Sequence, residues 1–230
     1  MLSVLLRAHF EMELVVGILV FLGIIIFLAV YFSKTARIKR KLRSAPRRGV
    51  GEVQEGEVVK VAGQIAPVGQ TLTAPLSGRS CVYYHVKVEQ YKRRGRSSYW
   101  EVIINEEVKG DVVLKDGSSY ALVDTSGKLM SHLVPDKKFN SGFMKDADHI
   151  LQGYLSKHGV NSTNWLGMNK TLRFNEGVLE PGETVAAYGK ASWKRKGQTT
   201  HNVSIERFLF ISPTDTNEAV YLTDEPSVMG

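Results

Sequence analysis

Hydrophobic and polar positions divide the chain into stretches with different periods. Leu14 to Ser33 is a twenty-residue run without a charge, long enough as a helix to cross a hydrocarbon core of about 30 Å. Lys34 to Arg48 is its opposite, a run of bases without an acid. Pro46 and Gly49 to Gly51 read as a short flexible joint, after which the period shortens to that of strands. From Cys81 to Tyr91 the residues alternate: Val82, Tyr84, Val86 and Val88 share one face, His85, Lys87 and Glu89 the other. Tyr99 to Val108 is a second β-rich run, and the polar segment Lys92 to Ser98, with Gly95 at its centre, joins the two as a hairpin with a basic tip. Val112 to Leu114 and Tyr120 to Val123 flank Asp116-Gly117, a turn dipeptide that predicts a tight hairpin. Val203, Ile205, Leu209 and Ile211 are expected on one face of a late strand.

One segment has the helical period instead. Phe143, Ala147, Ile150, Leu151, Tyr154 and Leu155 recur at helix spacing, with Ser141 as the expected N-cap and Asp146 and Asp148 in the early turns. Lys157 and His158 close it, Gly159 supplies a left-handed stop, and Val160 is placed for a Schellman-type contact. A short echo links the two halves of the chain. Gly56-Glu57-Val58-Val59 with Gly63 is matched by Gly182-Glu183-Thr184-Val185 with Gly189. Each is a turn entering a strand that meets a second glycine seven residues on, as where a strand bends in a curled sheet. The expected fold is mainly β (α+β): an N-terminal transmembrane helix, then an OB-like or split-barrel β domain with one well-capped helix.

Charge locates the basic character. The net charge is +7, yet Lys34, Arg37, Lys39, Arg40, Lys41, Arg43, Arg47 and Arg48 alone exceed it. The remainder from Gly49 onward balances, so the basicity belongs to a collar beside the apolar run and no nucleic-acid partner is expected. A secretory signal has an apolar stretch of about 7–15 residues behind a basic leader. Here Glu11 and Glu13 precede a longer run and the bases follow it, so an uncleaved single-pass anchor is expected. The positive-inside rule then sets the N-terminus outside and the domain on the cytoplasmic side. The collar's own reading is topology and snorkelling to headgroups, with anionic lipid as the alternative partner. The sequons at Asn161, Asn169 and Asn202 would matter only in a secretory lumen.

Candidate chemistry is sparse. One thiol, Cys81, excludes a disulfide scaffold and a zinc finger or RING within these residues. It reads as a small buried hydrophobe rather than a nucleophile. No hydrolase, nucleotide-loop or metalloprotease motif is present, the six histidines are scattered, and the Asp146, Asp148 and His149 group reads as ordinary helix-terminal polarity. No catalytic residue, metal or cofactor is expected. The best candidate site is the hairpin tip, where Lys92, Arg93, Arg94 and Arg96 sit beside Tyr99 and Trp100, a mixture suited to carboxylates, phosphates or a partner's acidic face.

The order of features carries a resemblance. After the anchor and the Gly56 strand comes Pro75-Leu76-Ser77-Gly78-Arg79-Ser80-Cys81-Val82-Tyr83-Tyr84, then the basic hairpin returning through Trp100. Val112-Val113-Leu114-Lys115-Asp116-Gly117 through Val123-Asp124 follows, then the helix, Leu172-Arg173-Phe174-Asn175-Glu176 and Leu179-Glu180-Pro181-Gly182-Glu183. This order resembles the GIDE, or "beside a membrane", domain of MULAN-class membrane-anchored E3 ubiquitin ligases and their prokaryotic relatives. The resemblance covers most of Gly49 to about Pro213. It implies the accessory domain; the ligases' zinc-binding RING and second transmembrane helix have no counterpart in the polar tail, 214–230. The expectation is therefore a membrane-anchored interaction or scaffold domain that binds a protein partner near the bilayer. The alternatives are an accessory component of a ubiquitin-ligase-like system needing a separate RING, and a lipid or envelope-stress sensor.

Overall fold

A computed structural model describes residues 2–68, 71–135, 137–141, 149–163, 169–201 and 203–229. Two helices come first, α1 (Leu2–Tyr31) and α2 (Lys34–Ser44), bent by 63° between Val15–Tyr31 and α2. Ser33 caps α2, its hydroxyl accepting from the Ala36 amide at 3.2 Å. Then follow β1 (Arg47–Arg48), β2 (Val58–Ile65), β3 (Leu72–Thr73), β4 (Ser80–Cys81), β5 (Tyr83–Arg94) and β6 (Ser97–Lys109). After these come β7 (Val112–Asp116), β8 (Ser119–Val123), β9 (Leu129–His132), β10 (Lys137–Ser141) and α3 (His149–Lys157). The chain finishes with β11 (Leu172–Leu179), β12 (Thr184–Arg195), β13 (Arg207–Ser212) and β14 (Val220–Thr223). With 44% strand against 22% helix the protein is mainly β, as expected, and it contains a closed five-stranded barrel.

The barrel is the ring β2-β7-β8-β13-β12, closed by β12 pairing back to β2. All its pairings are antiparallel except β8 with β13. Its interior is filled by inward residues of these strands, among them Val59, Val61, Leu114, Val123, Val185, Leu209 and Ile211. The two echoed segments meet at the closing seam. Gly63 pairs with Val185 and Val59 with Gly189, so each echo residue faces the counterpart of its own partner. The symmetry extends to single hydrogen bonds. Gly56 N donates to Ala191 O and Gly182 N to Ile65 O; Ala191 N donates to Glu57 O and Ile65 N to Glu183 O, all at 2.8–2.9 Å. Even the turn caps repeat: Glu57 accepts from the Gln54 amide and Glu183 from the Glu180 amide. Gly56 and Gly182 take φ of +80° and +88°, the left-handed conformation such turns require. Gly63 and Gly189 have a different reason, close approach. A Cβ there would lie 2.6 Å from the Lys115 carbonyl oxygen and 2.4 Å from that of Ser212.

A second sheet, β10-β11-β5-β6, grows from two barrel connections, and α3 packs on it. In β5 the alternation lands for Tyr84, Val86 and Val88, buried beside Phe174 and Leu155, whereas Val82, just before the strand, is buried in the barrel core with Tyr83. The hairpin is tighter than its polar connection implied. Arg94 pairs with Ser97, so the loop shrinks to Gly95-Arg96 and Lys92 to Arg94 belong to the strand. Likewise Asp116 pairs with Ser119, making Gly117-Ser118 the turn. The C-terminus of α3 is a Schellman motif: Val160 N donates to Leu155 O at 2.9 Å and Gly159 N to Ser156 O at 3.0 Å. Its start differs from expectation. Ser141 is no N-cap, because it ends β10 opposite Leu172; Phe143, Asp146, Ala147 and Asp148 lie outside the described residues.

Four further segments depart from the sequence reading. The collar, read only as a basic run beside the apolar stretch, also packs on the domain: α2 seals Ile38 and Leu42 completely against Ala62, Ala186, Tyr221 and Val228. The joint after it is also built in, since β1 pairs with β2 and Val50, fully buried, donates to Asp116 at 2.9 Å. The polar tail contains β14, whose four residues are all buried between β12 and β9. An apolar run of only four residues is easily lost among polar neighbours. Val203 and Ile205 precede β13 and pack with Phe208, apart from the barrel interior that holds Leu209 and Ile211.

Candidate functional site

The apolar helix is the first feature any site must be set against. Large hydrophobic side chains from Val15 to Phe32 are exposed on all sides of the helix, Phe21, Ile26 and Phe27 by about two-thirds (64%, 64% and 65%). Among the described residues no single helix is long and apolar enough to cross a membrane; Val15–Tyr31 and Lys34–Ser44 together meet the test as one bent pair.

Docking of α2 splits the eight collar bases into groups. Lys39 pairs with Glu225 at 3.1 Å, Lys41 with Glu218 at 3.4 Å, and Arg48 with Glu57 at 3.4 Å. The Arg40 guanidinium lies 3.8 Å from the Tyr31 ring centre and donates to Tyr31 O at 2.6 Å, tying α2 to the end of α1. Lys34, Arg37, Arg43 and Arg47 are exposed.

The hairpin carries its expected residues to the edge of the second sheet, on the strands β5 and β6. Lys92 is neutralised by Glu101 across the pair, which raises the lysine's pKa. Arg93, Arg94 and Arg96 are exposed, and Arg94 and Arg96 have no ion-pair partner among the described residues. The Ser98 hydroxyl and then Arg93 hold the Tyr91 phenol below its ordinary value. Tyr99, Trp100 and Val102 stand 46%, 36% and 49% exposed. Trp100 is nevertheless held in position: Tyr91 meets it edge-on at 5.4 Å, and the Arg173 guanidinium covers its ring at 4.2 Å.

Arg173 leads to a site that pattern reading missed. A cleft of about 690 Å³ lies between the start of α2, strand β9 and the polar face of the second sheet. At one wall Arg173 grips Glu89 with two bonds, Nε to Oε2 at 2.6 Å and Nη2 to Oε1 at 3.0 Å, and Lys87 adds a third contact at 3.4 Å. These bonds, Arg173 first, hold the nearly buried Glu89 carboxyl below the usual range. Deeper in, the sealed Tyr83 hydroxyl donates to Glu107, which also accepts from Ser131 at 3.1 Å. Burial pushes the Tyr83 phenol far up and pushes Glu107 up as well, but hydrogen bonds from Tyr83 and Ser131 outweigh it and leave Glu107 below its ordinary value. His85 Nε2 meets Asn105 Oδ1 at 2.8 Å, and His132 lies 3.6 Å from Glu225. Burial, then Lys39, lowers the His132 pKa, so this imidazole is neutral near pH 7.

The cleft is a polar surface of largely paired side chains, and among the described residues no cluster of His, Cys, Asp and Glu is placed to hold a metal. Cys81 is fully buried in β4, and burial pushes its thiol up to about 11, as fits a packed hydrophobe. His201, scattered in sequence, sits between Asp111 at 2.6 Å and Asp124 at 3.8 Å, and so fastens the β12–β13 loop to the barrel. The one hint of the cleft in the sequence is the polar phase His85, Lys87, Glu89; Arg173 arrives through the β5–β11 register, and Ser131 and His132 come from β9 of the other sheet. No family model matches the chain, and neither a curated protein nor a solved structure matches it.

Proposed function

We propose that this chain is a single-pass, membrane-anchored interaction module of the GIDE type, its β domain on the cytoplasmic side, that captures a protein partner with the β5–β6 hairpin. The observation that carries the reading is the hairpin itself. Tyr99, Trp100 and Val102 stand exposed on an edge strand beside Arg93, Arg94 and Arg96. Tyr, Trp and Arg are the residues on which binding energy concentrates, and Trp100 is already ordered by Tyr91 and Arg173, which reduces the entropy lost on binding. The domain supports an OB-like assignment through its strand order. Numbered within the barrel, the ring runs 1-2-3-5-4-1 with strands 3 and 5 parallel.

Anchoring follows from an apolar helix with no apolar partner. A helix hydrophobic on every side belongs in a core or a bilayer, and Val15 to Phe32 has no core around it. At 1.5 Å per residue, Leu14 to Tyr31 covers about 27 Å, close to the hydrocarbon thickness. Because α2 is docked, the hairpin is held at a fixed reach from the bilayer, which raises effective concentration for a surface-bound partner. The test is crosslinking and detergent purification of the full chain from its native membrane, alongside R93E/R94E/R96E. A protein retained by the native chain and lost from the folded variant is expected; equal retention refutes the hairpin assignment. If that protein bears a RING, the module is the accessory part of a ligase.

A further inference from the structure

Docking of α2 creates a groove of about 480 Å³ on its outer flank, lined by Arg37, Arg40, Lys41, Ser44, Glu218 and Tyr221. We infer that this groove binds the phosphate of an anionic phospholipid headgroup. The inference rests on the membrane-anchor reading and assigns a lipid site within it.

Three observations carry it. The first is helical phase. Ile38 and Leu42 are sealed and set the helix's rotation. Lys39 and Arg43 are thereby turned towards the C-terminal turn, where they meet Glu225 and Ser227. Arg37, Arg40, Lys41 and Ser44, spaced i, i+3, i+4 and i+7, are left on the other flank. The second is position. α2 begins three residues after α1 ends, and Arg40 is bonded to the carbonyl of Tyr31, the last residue of α1. Arg37 to Lys41 therefore lies within about 15 Å of the apolar helix by helical rise, at headgroup depth.

The third is charge. The groove holds three cations and one acid. Glu218 is committed to Lys41 at 3.4 Å, while the Arg37 guanidinium has no hydrogen bond or ion pair among the described residues. The Arg37 guanidinium, with the Arg40 donors not spent on Tyr31, offers forked donors that match phosphate oxygens. An acidic protein segment would have to enter at the bilayer surface, where an anionic headgroup is already present.

The experiment is native mass spectrometry of the full chain in detergent with equimolar phosphatidylglycerol and phosphatidylcholine. Phosphatidylglycerol should be retained in roughly 30-fold excess, the combined worth of two basic side chains near an anionic surface. R37Q/R40Q should bring the two lipids to parity, R47Q/R48Q should leave the preference intact, and E218Q should increase it by removing the competing carboxylate. Equal retention by the native chain, an equal loss in R47Q/R48Q, or an E218Q variant that binds less would each overturn the site. Displacement of the lipid by millimolar inorganic phosphate would also overturn it, in favour of a free-anion site. Carbonate extraction of the same proteins separates the two readings. A native chain that resists extraction but shows no lipid preference refutes the groove alone, whereas one that is extracted refutes the anchor.

Discussion

The seating of α2 can be decided by magnitude. Two kinds of contact hold the helix: the sealed side chains of Ile38 and Leu42, and the ion pairs Lys39–Glu225 and Lys41–Glu218. Truncating a sealed Ile or Leu to Ala costs about 2–5 kcal/mol. The ion pairs are partly exposed, with side-chain exposures of 29% and 22% in the first and 37% and 35% in the second, and each contributes about 0–1 kcal/mol after screening. The apolar pair must therefore dominate, though the two truncations share one cluster and should not simply add. Undocked, an eleven-residue helix is marginal on its own. In hydrogen exchange followed by mass spectrometry, I38A alone should speed exchange across α2 by at least about 30-fold, the equivalent of about 2 kcal/mol. I38A/L42A should remove protection, while K39A/K41A should change it by less than about tenfold. Barrel strands β7 and β8 serve as the internal control. If the charge variant opens α2 as much as the apolar one, or if I38A/L42A leaves it protected, the argument for apolar seating fails.

Other outcomes follow from the same structure. G189A and G63A should each destabilise the barrel by about 1–3 kcal/mol in urea denaturation, because the new methyl meets a carbonyl oxygen of the neighbouring strand. Cys81 should resist alkylation at pH 8 in the folded protein and react at the rate of unfolding, since its thiol is both sealed and held protonated up to about 11. Glu89 has a lowered folded pKa, so its contribution is present above the unfolded value of about 4.3 and is lost as pH falls through the folded one. E89Q should accordingly flatten the acid limb of the stability curve below about pH 4.3 and leave the slope near pH 7 unchanged; an acid limb equal to the native one would refute the assignment.

Legibility in the sequence tracked how local the cause was. The alternation from Tyr84 to Val88 and the stop at Gly159-Val160 depend on neighbours a few residues away, and both appear where the pattern predicts; Val82, one step earlier, turns into the barrel core instead. The glycine echo was readable as a repeat, but the strand that its second half would face is a matter of closure and only emerges in the β2–β12 register. In α2, six of the collar's eight bases conceal the i, i+4 pair Ile38 and Leu42, so a docked amphipathic helix reads only as a basic collar. The cleft was the least legible part. Glu89 and Arg173, or Tyr83, Glu107 and Ser131, come from four different strands and carry no mutual spacing in the chain.

The two-fold seam also dictates an order of events during synthesis. Ile65 at the end of β2 has to wait for Glu183 before its amide finds an acceptor, and Val59 waits for Gly189. Until then β2 is an open edge, available to any passing strand, on a chain whose apolar N-terminal helix has long since left the ribosome. The seat of α2 is later still, since it needs Ala186 from β12, Tyr221 from β14 and Val228 beyond it. The helix that follows the apolar run is thus made before every strand and is among the last elements to be seated. Its nascent form is an unlatched helix, and the last residue of its seat, Val228, follows the final strand.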